Sequence, residues 1–333
     1  MNTIMNDYFQ NIRGGETQQK HNLQLIPLFH KVGPGERGYL LLDEALEREA
    51  LQLQEATEQG MVNNLIVINL GRQPVLILDG EELIGAKQNR MVNATILIPP
   101  ESRIDIPVSC VERGRWNYNS QRFSRSDAHG YSELRKRKAE GVTRNLARNM
   151  SFASEQHEVW AEIDRKQAAM NVDSHTDAMH DVYRKYEKEL DEFIAGLRPQ
   201  ENQSGLAVFI SGRFNCLDLF GHPDVLGKLW DKLLKSYAME ALEQKKARAP
   251  KPKEVGIGPL LASLQGAELN QYPSVGLGTD VRLLSPEYMS AGLIYEEMVL
   301  HLAAFPRDDR DQQPHPRNNS GNLAQPSRRR RTH

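Results

Sequence analysis

The sequence predicts an α+β fold: a mainly antiparallel β-sheet body with an inserted helical hairpin and a further C-terminal helix. Three observations predict it. β-prone apolar runs joined by short Gly- and Pro-containing turns fill the first third of the 333 residues and resume after Leu206. Short connections favour antiparallel pairing. Between the two sets lies a polar block whose apolar residues recur at three- and four-residue spacing, which is the helical period. A hydrophobic share of 39% is enough for a real core at this length.

Taken in order, Leu23 to Phe29 is a short apolar run containing Pro27, which suits an edge strand. Gly38 to Leu42 is a second candidate. Asn64 to Leu70 and Val75 to Leu78 are strongly β-prone, with Gly71-Arg72-Gln73-Pro74 turning the chain between them. A polar stretch from Gly80 to Arg90 leads into an apolar run, Val92 to Ile98. The chain turns at Pro99-Pro100 and returns through Ile104 to Val111. Ser132 to Met150 is basic with modest helical signal, and Ser154 can cap a helix running to Ala169. Asp177 to Leu197 reads as one helix. Its stripe is Met179, Val182, Tyr183, Tyr186, Leu190, Phe193, Ile194 and Leu197, and Gly196 and Pro199 mark its end. Strands resume at Leu206–Ile210 and Phe214–Leu219, and a helix near Pro223 carries Leu226, Leu229, Trp230 and Leu233. Lys245 to Lys253 reads as a charged linker, followed by short strands at Leu269–Asn270, Val281–Leu284, Gly292–Tyr295 and Val299–Phe305. The expected organisation is an N-terminal arm (1–22), one α+β domain (23–306) with a helical insertion over about 127–200, and a disordered Arg-rich tail (307–333). Independent domains are the alternative.

Several function classes are disfavoured. Cys110 and Cys216 alone build neither a disulfide framework nor a zinc site. The N-terminus has no basic region followed by an apolar run, and no apolar stretch is long enough to span a bilayer. The expectation is a cytoplasmic protein with free thiols and no membrane partner. His175, His180, His222 and His301 lack metal-ligand spacing, and no P-loop or dinucleotide-binding glycine pattern is present. No cofactor or metal is assigned. The net charge of -2 is unevenly spread. The tail from Arg307 carries seven Arg against three Asp, and its Arg328–Arg331 run can contact nucleic acid. Val111 to Met150 holds ten Lys or Arg against four Asp or Glu, an excess that suits an anionic ligand or a solvated helix face.

Two stretches concentrate chemistry. In Gly80–Asn93, Lys87 and Arg90 can neutralise an anion, and Gln88, Asn89 and Asn93 can bond polar edges. An ordinary solvated loop is the competing reading. In the second stretch, Ile104, Ile106, Val108, Cys110 and Glu112 share one face of an extended strand. Glu112 at the end of that face needs a partner, with Arg113, Arg115 or Lys87 at hand. It would be a general base, a ligand acceptor or half of a structural ion pair. Cys110 reads as a small apolar group. Trp116 can stack on a base or plug the core.

Gly80-Glu81-Glu82-Leu83-Ile84-Gly85-Ala86-Lys87-Gln88-Asn89-Arg90 with Asn93, then Pro107–Glu112 and Gly114-Arg115-Trp116, resemble the ARG and rhodanese-phosphatase-superfamily-associated protein domain family. Gly212-Arg213 to Asp218-Leu219-Phe220, Leu229-Trp230 and His301-Leu302-Ala303 are similar to it as well. The resemblance implies that the chain binds or processes NAD-derived or ADP-ribose-like molecules. It carries over Glu82, Lys87, Gln88, Asn89, Arg90, Asn93, Glu112, Arg115 and Trp116. The expected site is a pocket for a small nucleotide-like anion. Lys87, Arg90 and Arg115 would hold phosphate, and Trp116 would stack. The alternatives are a hydrolase using Glu112 as general acid/base and a non-catalytic scaffold.

Overall fold

Strands from both ends of the chain meet in one sheet. A computed structural model describes residues 1–31, 35–56, 63–115, 117, 120–246 and 255–307. Among them, a nine-stranded antiparallel sheet runs Ile12–Gly14, Leu23–His30, Gly205–Ile210, Arg213–Phe220, Met298–Pro306, Tyr288–Tyr295, Thr279–Leu284, Glu268–Pro273, with Gln18–Lys20 also on Leu23–His30. Leu28 lies opposite Gly205 and Leu23 opposite Ile210, so everything between His30 and Gly205 is inserted between neighbouring strands. The sheet is buried on both faces at Leu23–His30 and Gly205–Ile210, which explains why Leu23–His30 reads as a continuous apolar run rather than an alternating one. Leu23 and Leu25 face the helix Pro223–Lys246 and the inserted helices. Ile26 and Leu28 face the opposite layer.

That opposite layer corrects one expectation. Residues 1–22 are no separate arm. The helix Asn2–Gln10 buries Met5 and Phe9 against the sheet, and Ile12–Gly14 and Gln18–Lys20 are sheet strands. Burying two such side chains contributes about 1.5–3 kcal/mol each. A helix unforeseen in the sequence, Gly258–Gln265, joins it through Leu260 and Leu264. The linker expected from Lys245 lies mostly outside the described residues, as does the tail beyond Arg307.

The insertion opens with two smaller sheets. One runs Phe123–His129, Glu81–Gly85, Arg90–Val92, Ser102–Cys110, Asn64–Asn69, Leu51–Glu55; the other runs Ile96–Ile98, Val75–Ile77, Leu40–Leu41. They enclose a core that includes Leu53, Val67, Ile77, Leu83, Val92 and Ile106. Two β runs therefore part company with their neighbours. Asn64–Asn69 and Val75–Ile77 are not a hairpin but belong to different sheets, and Asn69 holds the corner by donating to the Gln73 and Pro99 carbonyls, both at 2.9 Å. The run Val92–Ile98 is split likewise, its halves pairing with Ser102–Cys110 and Val75–Ile77.

Three helical stretches follow. Ser132–Asn149 and Gln156–Ala169 pack side by side. The basic helix is not a solvated face, because Arg135, Lys136 and Lys138 are buried. The expected Asp177–Leu197 helix breaks into Met179–Lys185 and Glu187–Ile194 at Tyr186, whose N–H is shared between the Val182 and Tyr183 carbonyls. Its stripe nevertheless remains on one buried face, from Met179 to Leu197. The fold is α+β with mainly antiparallel sheets. Among the described residues no helix is long and apolar enough to cross a membrane.

Candidate functional site

The stretch read as a polar loop is largely a strand. Glu81–Gly85 pairs with Arg90–Val92, leaving only residues 86–89 as the turn. Residues opposite each other in a ladder share a face. Arg90 lies between Leu83 and Cys110 in one cross-strand row, and Glu82 lies opposite Met91. The motif therefore splits between the two sides of the sheet.

Arg90 belongs to the interior side. It is fully buried, contacts the Cys110 sulfur, donates to Gln88 Oε1 at 3.2 Å and lies 3.4 Å from Glu55 Oε1. Burial pushes the Cys110 thiol up to about 11, although Arg90 pulls the other way, so the group stays protonated at neutral pH. Gln156 brackets the same residue, accepting its N–H and donating to its carbonyl, both at 2.8 Å. Helix Gln156–Ala169 thereby covers the outer face of Ser102–Cys110. This is why the strand alternates up to Ile106 and is wholly buried after it. Asn93 is also structural, accepting from Ser109 at 2.6 Å and donating to the Phe152 carbonyl at 3.1 Å.

Glu82 belongs to the other side. Its carboxylate is fully buried. Oε2 accepts from Ser126 Oγ at 2.6 Å and bonds His180 Nδ1 at 3.0 Å, whereas Oε1 has no hydrogen-bond partner among the described residues. An acceptor-only carboxylate puts the neutral ring's proton on Nδ1 and leaves Nε2 to face outward. The nearest carboxylate to Nε2 is Asp127, at 3.9 Å. The bond to Glu82 raises the His180 pKa above the ordinary imidazole value, against the effect of burial.

Glu112 and Arg115 close a third knot. Arg115 Nε and Nη2 grip Glu112 at 2.9 and 2.6 Å, and Asn89 N–H donates to Glu112 Oε2 at 3.1 Å. The remaining Arg115 donors go to the Ala86 and Asn117 carbonyls and Asn89 Oδ1. The turn at 86–89 is thus folded around the ion pair. A connector from the helical insertion is then stitched on: Gly114 N–H bonds the Thr176 carbonyl at 2.8 Å, and Met179 N–H bonds the Val111 carbonyl at 2.8 Å. Arg113 clamps Asp164 and Asp177 from outside. Gly114 is required at this approach, since a Cβ there would lie 2.9 Å from Thr176 Cα.

The result is a cleft of about 420 Å³ whose walls include Asn89, Glu112, Arg115, His175, His180 and Arg184. A chamber of about 80 Å³ lies on the other side of His180 and Arg184, bounded by Asp127, Tyr183 and Lys235. Of the residues singled out in the sequence, Asn89, Glu112 and Arg115 line the cleft and Glu82 supports it from behind. Arg90 and Asn93 point elsewhere, and Gln88 holds Arg90 while donating to the Arg113 carbonyl. Lys87 is buried in the turn. Trp116 lies outside the described residues. Phosphate roles for Arg90 and Arg115 do not match this geometry, because their guanidinium groups are turned into the protein. His180 and Ser126 were missed. A metal-spacing criterion has nothing to say about a histidine whose partner carboxylate lies 98 residues away. Among the described residues no group of three or more His, Cys, Asp or Glu is arranged to hold a metal ion.

The chain belongs to the ARG and rhodanese-phosphatase-superfamily-associated protein domain family, whose model matches residues 11–305. No curated protein and no solved structure matches it.

Proposed function

We propose that the protein binds or processes a small nucleotide-like anion in the cleft beside His180, and that His180, held by Glu82, presents a proton to it. The Glu82–His180 pair carries this reading. A buried carboxylate fixes one ring nitrogen, and the ring itself lines the wall of a cavity large enough for a small ligand. The hydrogen bond to Glu82 raises the pKa of the ring and so favours its proton-donating form. The other cations of the cleft are already matched, Arg115 by Glu112 at 2.6 Å and Arg184 by Asp181 at 2.8 Å. The attraction for an anionic oxygen therefore centres on the imidazolium, not on Lys87, Arg90 or Arg115. The family description, with its ARG and phosphatase association, favours an NAD-derived or ADP-ribose-like ligand.

If the ligand is also hydrolysed, His180 is the acid/base group in place of Glu112, whose two oxygens are occupied by Arg115 and Asn89. Thermal-shift titration with ADP-ribose, NAD and inorganic phosphate tests the proposal. Ligand at a hundredfold excess over Kd stabilises by about 2.7 kcal/mol, an easily seen rise in Tm. The expected outcome is a shift with ADP-ribose or NAD that is lost in His180→Gln and kept in Glu112→Gln. No shift with any of the three at millimolar concentration overturns it.

A further inference from the structure

We infer that Ser126 is a positioning residue for His180, set in place by a β-bulge whose effect is to aim Glu82 at the imidazole. The inference deepens the reading of His180 given above and rests on it.

The bulge is visible in the register. Arg125 lies opposite Leu83, but the next pair is His129 opposite Glu81. Four residues on one strand thus match two on its partner, leaving two extra. Bulges re-aim side chains and gather near functional sites. Here the irregularity frees the backbone around Ser126 to turn back on itself, and Ala128 N–H donates to Ser126 Oγ at 3.1 Å. The hydroxyl has one proton and that proton goes to Glu82 Oε2 at 2.6 Å. With its acceptor side taken by Ala128, the hydroxyl has one direction in which to donate. Ser126 is 2% exposed and lies outside the cleft lining, so it acts only through Glu82.

The consequence is a fixed carboxylate. Both Ser126 and His180 bond to Oε2, and among the described residues Oε1 has no partner to compete for the orientation. Without the hydroxyl, nothing in the described structure other than the imidazole itself sets the rotation of the Glu82 carboxylate. The same bulge throws Asp127 outward, 78% exposed, towards His180 Nε2. Asp181, Tyr183 and Arg184 are the other titratable groups near the ring on its own helix. The Glu112–Arg115 pair and His175 stand across the cleft, and Glu187 and Lys235 border the small chamber. None of these bonds Nδ1. The raised pKa of His180 is consistent with a well-aimed carboxylate.

The test is an NMR titration of the His180 ring nitrogens in the full chain, for wild type, Ser126→Ala and Ser126→Thr. The expected result is a midpoint that falls towards 6.5 in Ser126→Ala, with loss of the Nδ1–H tautomer preference, and recovery in Ser126→Thr. An unchanged midpoint in Ser126→Ala makes the serine merely structural and overturns the inference. A higher midpoint also overturns it, because it would mean that the hydroxyl tempers the charge of Glu82 without aiming it. Should Ser126→Ala not fold, the wild-type spectrum above the midpoint still decides. A neutral ring protonated on Nε2 contradicts the geometry. Failure of ADP-ribose, NAD and phosphate to bind would remove the proposed function and leave this titration result untouched, so the two can fail separately.

Discussion

Among the described residues two hydrogen-bonded carboxylate–histidine pairs are built from the same parts and held in opposite surroundings. In Asp218–His301 the bond is 3.1 Å, and in Glu82–His180 it is 3.0 Å. Around the first pair both carboxylate oxygens and both ring nitrogens are engaged. Arg135 grips Asp218 at 2.9 and 2.6 Å, Tyr237 donates to it at 2.5 Å, and Thr95 meets the other ring nitrogen of His301 at 2.7 Å. Burial dominates at His301 and lowers its pKa even with the aspartate beside it. At Asp218 burial works upward, yet Arg135 and His301 hold the carboxyl well below the usual range. The second pair lacks the arginine and leaves one ring nitrogen outside. There the hydrogen bond dominates and the histidine moves the other way. Bonding both ring nitrogens and both carboxylate oxygens makes a structural knot, and leaving one nitrogen of a propped ring without a hydrogen bond among the described residues makes a candidate site.

The sharpest way to break this comparison is to remove a carboxylate charge from each pair. Asp218→Asn strands the Arg135 charge in the interior. Breaking a buried pair by deleting one partner costs about 3–5 kcal/mol. Glu82→Gln leaves no buried arginine behind and preserves volume, so the loss there is about 1–2 kcal/mol, typical of a perturbed buried hydrogen bond. Urea unfolding of both variants measures the contrast. Equal losses would mean that the two pairs are not different in kind.

A smaller effect is expected from the stitching of the connector. In Gly114→Ala the added methyl meets the Thr176 backbone, which cannot swing away as a flexible side chain would. Overpacking of this sort costs about 1–3 kcal/mol. Its distinctive mark is local. Hydrogen exchange should speed up at Gly114 and Met179, whose N–H groups join the two segments, and stay slow across Gly205–Ile210. Uniform acceleration would show that the connector is part of the global core and not a separable wall of the cleft.

These two regions also mark where sequence reasoning ends. Ser102–Cys110 and the stripe from Met179 to Leu197 are legible because burial imposes a period on the residues themselves, and Gly205–Ile210 because burial on both faces leaves a continuous apolar run. The corner at residues 93–95 is not legible, since Asn93, Ala94 and Thr95 carry no glycine or proline and are all buried. Arg135, Lys136 and Lys138 look like a solvated basic face, and only Asp218, 83 residues away, shows why Arg135 is inside. Glu112 was legible as needing a partner, and Arg115 was among the candidates named, because that pair is three residues apart. Glu82 carried no comparable clue, since its histidine comes from the far side of the insertion. Local pairings leave local patterns, and long-range ones do not.

The smallest expected effect is the most telling, because the two pairs should respond to pH with opposite signs. For His180 the folded pKa lies above the unfolded value of about 6.5. Its contribution is therefore fully present below pH 6.5 and disappears as pH rises through the folded pKa. For His301 the folded pKa lies below 6.5, so the unfolded chain takes up the proton first and stability falls as pH drops below that value. The stability difference between wild type and His180→Gln should be greatest near pH 6 and shrink towards pH 9. The change should be small, since the ring is partly solvated. The difference between wild type and His301→Gln should move the other way, with wild type losing ground as pH falls from 7 to 5. Denaturant unfolding across that range reads both. If the two differences change with the same sign, burial does not separate these histidines, and the case for His180 as the group facing a ligand loses its physical basis.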